Sequence, residues 1–203
     1  MTAVFDFPII VLAAGQSRRM QGRDKLLEDV DGAPLIRRQV KTARSATTGA
    51  VMVALPPRPH PRYQALDGLD VTLLSVPDAD TGMNASLRHS FAALPVNAPC
   101  AMVLLCDLPD LEVSDLCQVA AAVDLTSGTQ IWRGATAQGG AGHPIIFHNS
   151  LFDAFATLHG DCGGREVVAK AEGRVELIPL KGARARADLD TPEDWAAWRR
   201  ARG

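Results

Sequence analysis

Three groups of residues in this chain have the types and spacing to handle phosphate. The first is the loop Ala13-Ala14-Gly15-Gln16-Ser17-Arg18-Arg19-Met20-Gln21-Gly22-Arg23-Asp24-Lys25, which follows the apolar run Ile9–Leu12. Small residues let a backbone approach a ligand closely, and exposed N–H groups there cradle phosphate oxygens. Arg18, Arg19 and Lys25 supply the neutralising charge. The loop lacks the Gly-Lys-Ser/Thr of a Walker A sequence, and Gly15 and Gly22 are not spaced as in a dinucleotide fingerprint. A glycine after a strand and arginines on a surface loop also occur without a ligand, so the loop alone leaves both readings open.

The second is Asp107, placed directly after the apolar stretch Ala101-Met102-Val103-Leu104-Leu105-Cys106. A carboxylate emerging there from a buried strand is the hard oxygen ligand that Mg²⁺ takes alongside substrate phosphates. The competing role is to cap the turn in Asp107-Leu108-Pro109-Asp110. The third comprises polar stretches at other element ends: Gly82 to Leu87, Gly142-His143-Pro144, Gly160 to Arg165, and Asp188-Leu189-Asp190 before Thr191-Pro192. Asn84 and Ser86 are equally candidates for helix caps, and His143 is a structural histidine or a general base. The four cysteines have no zinc-like spacing and read as reduced, mostly buried thiols, with Cys162 alone in a Gly-rich loop.

These residues need a scaffold, and the chain alternates strand-like with helix-like segments. Short apolar runs at Ile9–Ala14, Val51–Leu55, Val71–Val76 and Ala101–Cys106 predict parallel strands buried on both faces. Helical patterns fall at Pro34–Ser45, Asn84–Leu94 and Ser114–Val123, the last with Ser114 as N-cap. Further strands are expected at Gln130–Trp132, His143–His148 and Val175–Leu180, some of them antiparallel. A final helix opens at Thr191-Pro192-Glu193-Asp194, with a capping hydroxyl and proline at its first position. This alternation predicts an α/β sheet, whose ligands sit outside the carboxyl ends of the strands. Pro56 to Pro61 reads as a stiff connector, and Thr126–Gly142 as the candidate for a mobile segment over the site.

A chain of 203 residues, 47% hydrophobic and 22% charged, can bury a sizeable core and is most simply one domain, residues 1–203. The net charge of −2 gives no reason to expect nucleic acid or an anionic membrane as partner. No apolar stretch approaches the roughly 20 residues that span a bilayer, and no basic leader opens the chain, so a cytoplasmic location is expected.

Taken together, Leu12-Ala13-Ala14-Gly15-x-Ser17-x-Arg19-Met20 followed by Lys25 resembles the signature of nucleotidyltransferases related to the molybdenum-cofactor guanylyl- and cytidylyltransferases. The resemblance spans nearly the whole chain. It implies a Rossmann-like three-layer α/β/α fold with a mostly parallel central sheet, of the nucleotide-diphospho-sugar transferase type. It also implies that Leu12, Ala13, Ala14, Gly15, Ser17, Arg18 and Lys25 bind the nucleotide, with Gly82 and Ser86 beside base and ribose. Lys25, Arg19 and Asp107 take the catalytic roles. Asp107 and Asp190 hold Mg²⁺, with Asp188 the other candidate for the second carboxylate. His143, Asp161 and Arg165 contact the phosphate-bearing pterin, so the C-terminal part binds the acceptor and the N-terminal part the nucleotide. Two departures are visible: Gln21 stands before Gly22, where a Gly usually follows Arg-Met directly, and Asn84 replaces a small residue.

The expected reaction is transfer of CMP from CTP to molybdopterin with release of pyrophosphate, for eventual delivery to a molybdoenzyme or its chaperone. Ala13-Ala14-Gly15 matches the cytidylyl spelling rather than the Leu-Ala-Gly-Gly of the guanylyl branch, although one methyl discriminates by only about 1–3 kcal/mol. A GTP-dependent enzyme, a sugar- or alditol-phosphate transferase of the same fold, and a non-catalytic molybdopterin chaperone remain as alternatives.

Overall fold

The computed structural model describes residues 4–160 and 163–203. Ile9–Leu12 forms β1, and every residue of it is buried because its two sides pack into different cores. Ile9 and Val11 face one hydrophobic cluster, Ile10 and Leu12 the other. That double burial is what a continuous apolar strand signals. The chain next makes a small hairpin from β2 (Asp29–Val30) and β3 (Ala33–Pro34). Then come α1 (Leu35–Ala46), β4 (Val51–Leu55), α2 (Pro61–Ala65), β5 (Thr72–Ser75), α3 (Met83–Ala92), β6 (Cys100–Leu105) and α4 (Val113–Ala121). β7 (Ile131–Ala135), β8 (Ala141–His148), α5 (Arg165–Lys170), β9 (Val175–Pro179) and α6 (Pro192–Ala201) complete it.

Among the described residues the main sheet has the order β5-β4-β1-β6-β8-β7-β9. β8 alone runs antiparallel to its neighbours β6 and β7. α1, α4 and α6 cover one face, contributing Leu35, Leu116 and Trp195, while α3 and α5 cover the other with Leu87 and Val167. The result is a three-layer, Rossmann-like α/β/α arrangement. The tryptophans and Tyr63 serve packing: Trp132 and Trp195 are fully buried and Tyr63 nearly so.

Several local expectations change. α4 is capped by Glu112, not Ser114, because Glu112 and Asp115 form a reciprocal capping box that starts two residues earlier. Asn84 and Ser86 lie inside α3, which begins after Gly82 at φ 120°, a conformation that favours glycine. Asn84 is fully buried and instead ties α3 to the chain beyond α3, donating to His159 O and accepting from Gly164 N. The segment expected to be mobile, Thr126–Gly142, holds strand β7 and a closed turn, with Thr136 N donating to Gly140 O at 2.8 Å. Cys100, Cys106 and Cys117 are buried free thiols, and burial pushes Cys100 up to about 12, far from thiolate chemistry. Cys162 lies outside the described residues. No helix among them is long and apolar enough to cross a membrane.

Candidate active site

The carboxyl ends of β1 and β6 open into a cleft of about 490 Å³. Its wall brings together Leu12, Ala14, Gly15, Ser17, Arg18, Arg19, Lys25, Gly82, Ser86, Asp107 and Asp190. Eleven positions from strand, loop and helix, up to 178 residues apart (Leu12 to Asp190), therefore meet in one place. A Cβ built on Gly15 would meet nothing within 4 Å, so the loop backbone there is open to a ligand. Ala13 is buried behind the wall, and neither His143 nor Arg165 lines the cleft. Arg165 is exposed at the start of α5, and Asp161 lies outside the described residues.

At the cleft floor Lys25 Nζ donates to Asp107 Oδ2 at 2.5 Å and to Asp190 Oδ1 at 2.7 Å. Arg19 pairs with the other oxygen of Asp190 at 2.6 Å. Burial opposes the charge on Lys25, but Asp107 and then Asp190 outweigh it and hold the ammonium above its ordinary pKa. Burial likewise opposes ionisation of Asp190, and the Lys25 hydrogen bond, with the charges of Lys25 and Arg19, overcomes it and lowers that pKa. Asp188 moves the other way, raised by burial and by the charges of Asp107 and Asp190.

Asp107 does not cap its turn. Its Oδ1 is buried and has no hydrogen-bond partner. A buried carboxylate oxygen left unpaired is costly, and here it stands beside a second carboxylate that shares a cation with it. Two hard oxygen donors, one of them unsatisfied, fit a divalent cation of the Mg²⁺ kind, with phosphates completing its shell.

The loop that presents Lys25 is held by a residue that sequence reasoning missed. Arg62, in α2, is 1% exposed. Its Nε and Nη2 grip both oxygens of Asp24 at 2.8 and 2.7 Å, and its Nη1 donates to Ala13 O at 2.6 Å. Asp24 in turn caps the short turn Lys25–Leu27 by accepting from Leu26 N. Ser17, at φ 52°, accepts from Lys25 N at 3.1 Å and from Arg62 Nη2 at 3.2 Å. Gln21 also adopts the left-handed region, at φ 52°, so the loop closes without the expected glycine, which arrives one residue later as Gly22 at φ 85°. Arg62 and Asp24 are separated by 38 positions. The one local hint was an aspartate immediately before Lys25 with no task of its own.

Behind the cleft, the segment carrying Asp190 is laid across the start of β8. His143 N donates to Ala185 O at 2.8 Å, and Leu189 N donates to Asp107 O at 3.1 Å. A Cβ on Gly142 would stand 2.1 Å from Ala185 O, so only glycine admits this approach. The His143 ring bonds the Val103 backbone, while its Nδ1 is buried without a partner. Burial and then the Arg133 charge lower its pKa to about 4, which leaves the ring neutral at pH 7 and a weak base.

Comparison with known proteins bears on the family and the fold. The family model described as "MobA-like NTP transferase domain" matches residues 9–175. A protein of Synechococcus elongatus named "Probable molybdenum cofactor guanylyltransferase" is 32% identical over 196 residues, covering 95% of this chain and 97% of the relative. The "Molybdenum cofactor guanylyltransferase" of Serratia proteamaculans is 28% identical over 96% of this chain and 94% of its own. Among solved structures, Rv0371c from Mycobacterium tuberculosis H37Rv superposes with a TM-score of 0.76 at 27% identity, covering 95% of this chain and 97% of that one. A second structure of Rv0371c is a complex with manganese.

Proposed function

The chain belongs to the MobA-like NTP transferase domain family, and on that premise we propose that it transfers GMP from GTP to the phosphate of molybdopterin, releasing pyrophosphate. The observation that carries this reading is Lys25 held between Asp107 and Asp190 on the floor of a cleft walled by an open glycine-bearing loop. The curated relatives named guanylyltransferases support GTP over the CTP expected from the Ala13-Ala14-Gly15 spelling. CTP stays as the second reading because Ala14 lines the cleft, where its methyl narrows the space for a purine. The two halves divide the work: residues before β6 hold the nucleotide, and the segments after it hold the acceptor.

In the reaction an oxygen of the acceptor phosphate forms a bond to the α-phosphorus as the bond from that phosphorus to the bridging oxygen breaks and pyrophosphate leaves. A phosphate monoester is largely dianionic at neutral pH, so no strong base is required. That accords with a neutral His143 away from the cleft wall. Arg19 and Lys25 lie where charge builds on the non-bridging oxygens, and preorganised cations of this kind are worth about 10²- to 10³-fold each. Gly15 and the loop N–H groups position the triphosphate. Asp107 and Asp190 are the residues that would hold Mg²⁺, which supplies Lewis-acid stabilisation of the transferring phosphoryl group.

Calorimetric titration with GTP and with CTP, each with and without Mg²⁺, tests the proposal on the wild type and on Asp107→Asn. Expected is Mg²⁺-dependent binding of GTP at least tenfold tighter than CTP, weakened in the variant, with pyrophosphate released only when molybdopterin is added. Preference for CTP moves the assignment to cytidylyl transfer. Binding of neither nucleotide removes the role given to the Gly15–Lys25 loop, and acceptor binding without pyrophosphate release leaves a chaperone.

A further inference from the structure

Beyond β8, where the chain turns between β7 and β8, stand two arginines that no acid neutralises among the described residues. Arg133 of β7 is in register with Ile145 of β8, and Ile145 with Val103 of β6. Arg133 is thus two strands from β6, about 10 Å across the sheet. It alternates with Trp132, which faces the opposite core, so it shares the face of Ile131, Ile145 and Leu12 onto which the cleft opens. Arg133 Nε donates to Gly142 O at 2.8 Å, which holds the guanidinium against the start of β8, and among the described residues neither Nη has a hydrogen-bond partner.

Arg186 comes to the same turn from the other direction. Its Nη1 lies 3.2 Å from where a Cβ on Gly140 would stand. Its backbone is fixed next door, at the Ala185 O hydrogen bond from His143 N. Burial and then the charge of Arg186 lower the pKa of Arg133, so each guanidinium feels the other across this turn. His143 sits on β8, between Arg133 and the β6 end that carries Asp107, with Nδ1 buried and unpartnered.

Two guanidiniums converging on the Gly140–Gly142 turn, neither paired with an acid among the described residues, suit a doubly charged oxyanion or thiolate group. We propose that Arg133 and Arg186 bind an anionic group of the acceptor, remote from the phosphate that reacts. Position argues for acceptor over nucleotide, because the triphosphate loop lies on the far side of β6. The assignment rests on the acceptor role given above to the C-terminal segments.

The test separates the two readings. Nucleotide affinity by calorimetry, and KM for molybdopterin, are measured on the wild type, Arg186→Gln, Arg186→Glu and Arg133→Lys. Arg186 is exposed, so its variants fold whatever its role. Expected is a rise in acceptor KM of about tenfold or more for Arg186→Gln, larger for Arg186→Glu, with nucleotide affinity within twofold of wild type. Unchanged acceptor KM, or nucleotide affinity falling in parallel, overturns the proposal. Should the wild type bind no nucleotide, the functional reading fails, and diffraction from crystals soaked in selenate decides the arginine pair separately. Selenate between Arg133 and Arg186, absent in Arg186→Glu, supports the anion site, and no selenate there overturns it.

Discussion

Arg62 shows how much a single side chain determines here. It satisfies Asp24, Ala13 O and Ser17 Oγ at once from a position that excludes water. Lysine keeps the charge but has no planar fork, so it cannot serve the two Asp24 oxygens and the Ala13 carbonyl together. Arg62→Lys is expected to lower Tm by several degrees and to weaken nucleotide binding about tenfold or more, because Lys25 and the loop backbone lose their frame. Circular dichroism melts and calorimetry read the two effects. Binding that stays at wild-type strength while Tm falls would show that Arg62 supports the fold alone. At this scale Asp107 was legible as a carboxylate at the end of a short apolar run, and Lys25 as a cation of the small-residue loop that follows another. Arg62 was not, since its reason for being charged lies on a different element.

At the scale of elements, α1 contains one residue at odds with its surroundings. Gln39 is fully buried, and neither its Nε2 nor its Oε1 has a hydrogen-bond partner. Its spacing from Leu35, Ile36, Val40 and Ala43 places it on the buried stripe of the helix, where an apolar side chain of similar volume belongs. Gln39→Met should raise stability by about 1–2 kcal/mol, measured by denaturant titration, with nucleotide binding unchanged. A loss of stability would reveal a polar partner for the amide. The strands β1 and β4 and the cap at Thr191 were readable because period and turn chemistry are local properties. The insertion of β8 between β6 and β7 was not, since an apolar strand reads alike in either direction, and a Gly-rich approach to it looks like a loop. The Glu112–Asp115 box escaped notice because Ser114 offered a more familiar N-cap.

For the whole molecule, His143 links the sheet to pH. Its folded pKa of about 4 lies below the unfolded value near 6.5, so between these limits the unfolded chain binds more protons. Stability on this account is full above about pH 6.5 and falls as pH drops toward 4, with Arg133 deepening the effect and Asp107 opposing it. The slope is at most about 1.4 kcal/mol per pH unit. Thermal melts at pH 7.5, 6 and 5 on the wild type and His143→Gln check this: the variant's Tm should change less across that range. Equal changes in both proteins would assign the acid sensitivity elsewhere. The stretch from Ala185 to Thr191 has a different bearing on the whole. It is pinned at one end by His143 N and at the other by the capping box of α6, with Leu189 N fastened to Asp107 O midway. Such a stretch behaves as a ruler. Adding or deleting one residue would turn Arg186 and Asp190 to the wrong side together, whereas the turn around fully exposed Val96 can lengthen freely. Natural variation in chain length, and any tag or fused domain, therefore belongs at the second place and not at the first.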